Sequence, residues 1–249
     1  MSRKSTSPKI PGLPFEAKRL RPAEAGDLLA RGLAAETRFG YTMPEGLRVD
    51  GLAVDLPFGK SLRLAQLKLE DDGQAMAGAL YVLEAGGNVY VLDGSSTPIY
   101  AANERAAVEI AASNAATYLR YFTFALRGQA GGFTLVEALA PNAPRGSEDA
   151  ERIAQHAHSL TPKGCDVDGR QVLGGAVCYG GGLFEADFAI DSEGIVEMVD
   201  DRPLEDDVPE GFVEMPPTLH PASYFAARLG SSPGRALVEL MLEQVRLKN

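Results

Sequence analysis

The strongest constraint on the fold lies in the second half of the chain, where three short apolar runs are separated by turn-forming residues. The runs span residues 172–179, 183–190 and 195–199. In the middle run apolar residues alternate with Glu185 and Asp187, which places one strand face in a core and the other in water. The pattern predicts a three-stranded antiparallel meander, with a glycine-rich hairpin turn between the first two strands.

Helices and further strands are predicted on the N-terminal side of this meander and after it. The predicted helices run from Pro22 to before Gly40, from Ser113 or Asn114 to Arg127-Gly128, over Glu148–His158, and from Ser232 onwards. The other predicted strands begin near residue 47, form a hairpin of Ala75–Leu83 and Val89–Leu92, and span Phe133–Leu139. Because helices and hairpins alternate without regular βαβ spacing, we predict an α+β fold of mainly antiparallel sheet with packed helices.

The best candidate linker is the segment 140–149, which is poor in apolar residues and rich in residues that break regular structure. We therefore expect a flexible basic arm over 1–21, an α+β subdomain over 22–139 and a second α+β subdomain over 150–249. The two subdomains can also form one compact unit. Their hairpins resemble each other loosely, which either duplication or convergence of glycine turns explains.

Charge limits the partners that the chain can bind. The 249 residues carry a formal net charge of −10, although the first 21 residues contain six basic side chains and one acidic one. An acidic body repels nucleic acid and anionic lipid, so neither is expected as a partner. Contact of the basic arm with a polyanion is the remaining alternative. The sequence has no apolar run of about 18 residues and no apolar signal segment, so we expect a cytoplasmic location.

Gly59-Lys60-Ser61 follows a predicted strand and raises the question of a nucleoside triphosphate site. Such a phosphate-binding loop needs a glycine five residues before Gly59, where this chain has Val54. Pro57 removes one backbone amide from the loop, and the alternation of Leu62 and Leu64 indicates a strand where a helix would be needed. We interpret the motif as a turn.

Residues 230–234, Gly-Ser-Ser-Pro-Gly, match the nucleophile elbow of α/β-hydrolases in letters alone. In that elbow, the residue after the serine donates its backbone N–H to the oxyanion, but Pro233 has no N–H. The histidines of the chain all precede Ser232, whereas the elbow requires one after it. We interpret Ser232 as a helix cap.

Four side chains have the chemistry of zinc ligands, namely His156, His158, Cys165 and Cys178. Their spacing matches no common structural zinc site, and two histidines at this separation on a helix would point about 200° apart. We therefore predict no metal, no cofactor and two reduced, mostly buried thiols.

Carboxylates are concentrated between residues 193 and 210. They are Glu193, Glu197, Asp200, Asp201, Glu205, Asp206, Asp207 and Glu210. Paired carboxylates can hold a divalent cation or transfer protons. Acidic runs between strands are usually hydrated loops, and we interpret this run in that way.

The candidate ligand-binding residues are Asp93, Ser95, Ser96 and Thr97. They follow an apolar strand and offer one carboxylate and three hydroxyl groups. The alternative is a proline-containing turn between two strands.

The patterns for nucleophile, phosphate and metal sites all fail on geometry, so catalytic residues are unknown and the function is stated as a class. The leading hypothesis is a non-catalytic binding or protein-interaction module, whose partner is another protein or a second copy of the chain. The alternative is an enzyme whose site is assembled from dispersed carboxylates. A cleft with convergent carboxylates of shifted pKa would favour the enzyme, and a broad exposed apolar patch would favour the module.

Overall fold

The computed structural model describes residues 8–36, 47–71, 74–75, 78–220 and 224–225. Four helices and three antiparallel sheets in these residues confirm the predicted α+β fold. None of the described helices combines the length and the apolar character that a bilayer crossing requires. The predicted C-terminal helix and the Gly-Ser-Ser-Pro-Gly motif lie outside the described residues.

The first half of the chain forms a six-stranded sheet with helices on both faces. Its elements are β1 (Lys18–Arg19), α1 (Pro22–Glu36), β2 (Arg48–Asp55), β3 (Arg63–Asp71), β4 (Gln74–Ala75), β5 (Leu80–Ala85), β6 (Asn88–Val91) and α2 (Thr97–Ala106). The strand order is β1-β2-β3-β5-β6, and β4 pairs with β3. The predicted first helix is confirmed, because Leu28, Leu29 and Leu33 are buried against Val82 and Val91 on one sheet face.

The second half contains the predicted meander. Its elements are α3 (Ala115–Ala125), β7 (Arg127–Gly128), β8 (Gly131–Gly132), β9 (Thr134–Leu135), α4 (Glu148–Ala154), β10 (Thr161–Cys165), β11 (Gln171–Tyr179), β12 (Gly182–Ile190) and β13 (Val196–Glu205). β7 and β8 form a separate small hairpin. The larger sheet has the order β10-β11-β12-β13, with β9 also paired to β11, so the meander of β11, β12 and β13 is confirmed.

β13 forms one edge of this sheet in the described part of the chain. It carries four carboxylates of the acidic run, namely Glu197, Asp200, Asp201 and Glu205. The prediction that this run is a loop is wrong in this part, because backbone pairing with β12 holds the segment extended. The strand contains Pro203, and its pairing with β12 shifts register twice, between Leu183 and Phe184 and between Asp187 and Phe188.

Two-residue glycine turns close the two predicted hairpins. Gly86-Gly87 joins β5 to β6 with φ angles of +53° and +84°, and Gly180-Gly181 joins β11 to β12 with φ angles of +61° and +85°. Left-handed backbone at both positions defines a type I′ turn, whose twist matches that of the flanking strands. Both hairpins are confirmed, but the first begins at Leu80, since Ala75 lies in β4, and its turn is shorter than predicted. The duplication hypothesis stays a prediction, because this turn type is common to unrelated hairpins.

The Gly59-Lys60-Ser61 segment is a turn between β2 and β3, as predicted. It lies against the C-terminal end of α2, where the backbone N–H of Lys60 donates to the carbonyl of Ala106 at 2.8 Å. A Cβ atom on Gly59 would lie 2.9 Å from that carbonyl oxygen. The glycine is therefore explained by the close approach of turn and helix.

Helix α2 and strand β9 differ from the predictions. Thr97-Pro98 opens a helix, so the alternative of a turn between two strands is wrong. Proline fits the first helical turn because its missing N–H would have no partner within the helix there. The strand predicted over Phe133–Leu139 is reduced to Thr134–Leu135, which is the part that pairs with β11.

Helices α3 and α4 are confirmed with earlier ends than predicted. α3 ends at Ala125, and Leu126 is extended, so Gly128 belongs to β7 and does not close the helix. Asn114 precedes α3, but its side-chain oxygen accepts from the N–H of Ala111 and caps no helical amide. α4 ends at Ala154, so the two histidines follow the helix.

One buried cluster combines residues from both halves of the chain. The four aromatic residues of α3 lie in the core, as their spacing predicts, and Phe122 shares the cluster with Phe188 of β12. Ile10 and Leu13 of the predicted arm are also buried in this cluster, whereas residues 1–7 lie outside the described chain. The division into subdomains stays a prediction.

A buried tyrosine connects the helices to the second sheet. The hydroxyl of Tyr118 on α3 donates to the carbonyl of Gly194 at 2.7 Å, and it accepts from the side-chain amide of Asn103 on α2 at 2.6 Å. Burial raises the pKa of Tyr118, so the hydroxyl remains a donor at neutral pH. Gly194 lies in the turn before β13, and its φ of +84° favours glycine.

We expect Tyr118→Phe to lower the free energy of unfolding by about 1–3 kcal/mol, because the carbonyl of Gly194 and the amide of Asn103 lose a buried partner. Tyr121→Phe is the matched control on the same helix. The buried hydroxyl of Tyr121 has no hydrogen-bond partner among the described residues, so its removal should be neutral or stabilising. Urea unfolding at pH 7 measures both variants. Equal destabilisation by the two variants would contradict this role of the Tyr118 hydroxyl.

Candidate functional site

The predicted ligand-binding residues form the connection from β6 to α2. The carboxylate oxygen Oδ1 of Asp93 accepts hydrogen bonds from the backbone N–H and the hydroxyl of Ser95, both at 2.8 Å. Ser96 precedes α2 without capping it through its side chain, and Thr97 is the first helical residue. The hydroxyl of Ser95 is therefore hydrogen-bonded to the carboxylate of Asp93. A role of these four residues in ligand binding stays a prediction.

The structure does not bring the four possible zinc ligands together. Nε2 of His156 lies 3.2 Å from Glu205, and Nε2 of His158 lies 3.0 Å from Glu185. Both cysteines are free thiols, and the described residues include no group of three or more His, Cys, Asp or Glu side chains arranged for a metal. Cys178 is buried as predicted, whereas Cys165 is exposed on β10, which corrects the prediction for that thiol.

Carboxylates meet in a depression on the hydrated face of the second sheet. This charged depression has a volume of about 240 Å³ and is lined by Lys163, Glu185, Asp187, Asp200 and Arg202. The ammonium group of Lys163 donates to both carboxylate oxygens of Asp187, at 2.6 Å and 2.8 Å. Acidic and basic groups thus alternate across the surface and partly neutralise each other.

A larger cleft lies between α3, the segment that contains β9, and the segment before His220. Its volume is about 350 Å³. The large apolar side chains of its lining are Phe124, Phe133, Leu135, Leu139, Val213 and Pro216. A cleft of this size with a mainly apolar lining and a few polar groups is typical of binding sites.

An ion pair between two elements forms the polar wall of the cleft. Arg120 of α3 binds Glu137, which follows β9, through two hydrogen bonds of 2.6 Å each, and both side chains are partly buried. The backbone N–H of Leu160 also donates to this carboxylate. The hydrogen bond from Arg120 holds the pKa of Glu137 below its ordinary value, and the same bond raises the pKa of Arg120. Both groups are therefore charged at neutral pH and form a neutral pair.

A second depression borders the cleft. It has a volume of about 410 Å³ and shares Ala138, Leu139 and Ala140 with the cleft, so these three residues form a ridge between two concave surfaces. At the edge of the cleft, between the lining residues Glu214 and Pro216, Met215 is 57% exposed, and its sulfur lies 3.9 Å from the hydroxyl of Thr134, which also lines the cleft. The cleft is thus part of an extended, mainly apolar surface.

The residues of this cleft were not identified from the sequence. The signal that could have found the pair is that Arg120 is the one charged residue in α3, and Glu137 is the one charged residue in 128–144. A single charge in an apolar segment needs a partner when that segment is buried. The sequence still does not say which partner, because the two residues meet only through tertiary packing.

We expect Glu137→Gln to lower the free energy of unfolding at pH 7 by about 1–3 kcal/mol, because a charge-assisted bidentate bond is lost. The pKa of Glu137 is lowered from 4.5 in the folded protein, so its contribution is complete above that pH and is lost as the pH falls through the folded value. When the pH is lowered from neutral to below 4.5, the free energy of unfolding should therefore fall less for the variant than for the wild type. Urea unfolding between neutral and acidic pH measures this difference.

Glu214→Gln is the control, because Glu214 lines the same cleft but is exposed and makes no ion pair with a described residue. Its stability at pH 7 should equal that of the wild type. If Glu137→Gln kept the full dependence of stability on acidic pH, the ion pair would not be the cause.

Comparison of the chain with protein-family models, with curated proteins and with solved structures gives no match.

Proposed function

We propose that the protein is a non-catalytic protein-interaction module that binds apolar side chains of a partner protein in the cleft. The observation that carries this proposal is the ion pair of Arg120 and Glu137 within a mainly apolar lining. A carboxylate whose two oxygens accept from an arginine, and whose pKa is lowered, is a poor proton donor or acceptor near neutral pH. The geometry of the cleft supports binding better than acid–base catalysis.

The polar wall also offers a contact for a peptide backbone. The Nε and Nη2 atoms of Arg120 bind Glu137, and Nη1 makes no hydrogen bond to a described residue. This nitrogen can donate to a carbonyl oxygen of a partner. Because the ion pair is neutral, an uncharged backbone suits the wall better than an ionic group does.

The shape of the surface supports a protein partner over a small molecule. Two depressions lie on either side of the ridge formed by Ala138, Leu139 and Ala140, and Met215 is exposed at the rim. A small ligand is usually enclosed in a single cavity, whereas a partner protein covers a wider surface. Exposed methionine is also common at binding surfaces because its flexible side chain adapts to different partners.

Net charge bears on the class of partner, and the cysteines bear on the cellular location. A net charge of −10 disfavours nucleic acid and anionic membranes as partners. We also propose a cytoplasmic location, because both cysteines are free and reducing compartments keep thiols in that state. A second copy of the chain is one possible partner, and self-association would place two acidic bodies side by side.

The enzyme hypothesis is supported by one observation, the convergence of Glu185, Asp187 and Asp200 in the charged depression. His158 lies beside it, and a backbone hydrogen bond to Ser159, followed by the bond to Glu185, raises the pKa of this histidine. Histidine is a common proton-transfer group in enzymes. A thermal-shift screen that responds to small acids or metal ions and not to peptides would favour this alternative.

The test of the module is selection from a random peptide library, followed by measurement of Kd by fluorescence polarisation. We expect the wild type to select peptides with apolar side chains. Ala138→Lys and Met215→Lys place a charge on the surface and should weaken binding of a selected peptide at least about ten-fold, because the lysine ammonium must be desolvated. Both positions are exposed, so the variants should fold.

Val167→Lys is the matched control for these variants. Val167 is a fully exposed apolar residue in the turn between β10 and β11, and it is not part of the cleft lining. Its replacement adds the same charge and should leave Kd unchanged. If all three variants bound a selected peptide equally well, the cleft would not be the interaction surface.

A further inference from the structure

A small pocket adjoins the cleft on the other side of Phe133, which lines both. Its volume is about 80 Å³, and three aromatic rings contribute to its lining, those of Phe133, Tyr179 and Phe184. Met198 and the carboxylate-bearing residue Asp201 complete this end of the pocket. We refer to it as the aromatic pocket. All three rings are partly exposed, so the pocket opens to solvent.

The rings are held by separate elements of the fold. Phe133 and Tyr179 stack with ring centroids 4.3 Å apart and ring planes within 2°. The hydroxyl of Tyr179 accepts a hydrogen bond from the backbone N–H of Ala130 at 3.0 Å, which ties the ring to the hairpin of β7 and β8. Phe184 comes from β12, where it is paired with Val177. The arrangement is therefore built by tertiary packing and backbone pairing.

The carboxylate lies on the same sheet face as these rings. Asp201 of β13 is directly opposite Ala186 of β12, and Ala186 shares its face with Phe184 two residues earlier. Asp201 is exposed and forms no ion pair or hydrogen bond with any side chain in the described part of the chain. By contrast, Asp187 on the opposite face is neutralised by Lys163.

We propose that the aromatic pocket binds a methylated ammonium group. The faces of aromatic rings attract cations, and aromatic rings around a quaternary ammonium are a recurrent solution to its recognition. Asp201 supplies the opposite charge, and Met198 offers an apolar contact for methyl groups. The pocket is small, about 80 Å³, so it suits one small head group and not a larger ligand.

The pocket offers few polar groups, and this favours a methylated ammonium over an unmodified one. An unmodified lysine ammonium has three N–H donors and is strongly hydrated, so its burial needs several acceptors. The side chains that line the aromatic pocket supply one carboxylate, and the others are aromatic or apolar. A methylated ammonium has fewer or no donors to satisfy. This inference concerns a site next to the cleft and does not depend on what the cleft binds.

The test is titration of the full chain with choline, monitored by the proton NMR signal of the choline methyl groups. If choline binds against these aromatic rings, the signal of its methyl groups should shift upfield, and the shift should saturate as the pocket fills. The neutral isostere 3,3-dimethylbutan-1-ol has the same shape without the charge, and its binding should be weaker by at least about five-fold, since a cation–π contact is lost.

Two neighbouring aspartates provide a matched pair of variants. Asp201→Asn should weaken choline binding, whereas Asp200→Asn should not. Asp200 is the cross-strand neighbour of Asp187, and both line the charged depression on the opposite face of the sheet. Both variants remove one charge from the same exposed strand, so their folding and net charge are alike. Phe184→Leu keeps an apolar lining but should reduce both the affinity and the upfield shift.

The cation could belong to a modified protein or to a free quaternary amine. Titration with a short peptide that contains trimethyllysine between alanines distinguishes the two. Tighter binding of the peptide than of choline assigns the pocket to a modified protein, and the reverse order assigns it to a free quaternary amine. The inference is overturned if choline shows no saturable shift, if the neutral isostere binds as tightly, or if the Asp200 and Asp201 variants lose affinity equally. Each of these outcomes is independent of peptide binding in the cleft.

Discussion

The buried hydroxyl of Tyr118 is the contact on which the arrangement of the layers depends. It joins α3 to α2 through Asn103 and to the second sheet through the turn at Gly194. Apolar packing holds α3 near both sheets, and the hydrogen bonds of this hydroxyl add a directional constraint. A buried, directional hydrogen bond favours one position of the helix over its alternatives. Because α3 also carries Arg120 and Phe124, the same contact positions the floor of the cleft.

The cleft and the aromatic pocket arise where α3, the β9 segment and the second sheet meet. Phe133 lies at this junction and contributes to both. The cleft presents the ion pair and the exposed carboxylate of Glu214 in a mainly apolar lining, whereas the pocket presents the carboxylate of Asp201 beside three aromatic rings. The two sites are neighbours on one surface. A partner with an apolar segment next to a methylated cation would be complementary to both.

Local signals in the sequence predict much of the fold and little of the site. The amphipathic pattern of α1, the alternation in β12 and the glycine pairs of the two hairpins each lie within a short segment, so each is visible without tertiary information. Helix α2 was missed because Ser95, Ser96 and Thr97-Pro98 resemble a loop, although proline is favoured in a first helical turn. The ion pair of the cleft was missed because its two residues are 17 positions apart and meet only after folding.

Among the described residues β13 lies at an edge of its sheet, and this has a consequence for how the protein behaves in concentrated solution. An open strand of ten residues is a template on which further strands can add, one chain after another. Here Pro203 has no backbone N–H to donate, two register shifts make the pairing of the strand irregular, and the neighbouring charges of Asp200 and Asp201 repel an identical strand. Protonation of these carboxylates in acid removes that part of the protection and leaves the proline, the irregular register and the positive charge of Arg202 to oppose strand addition.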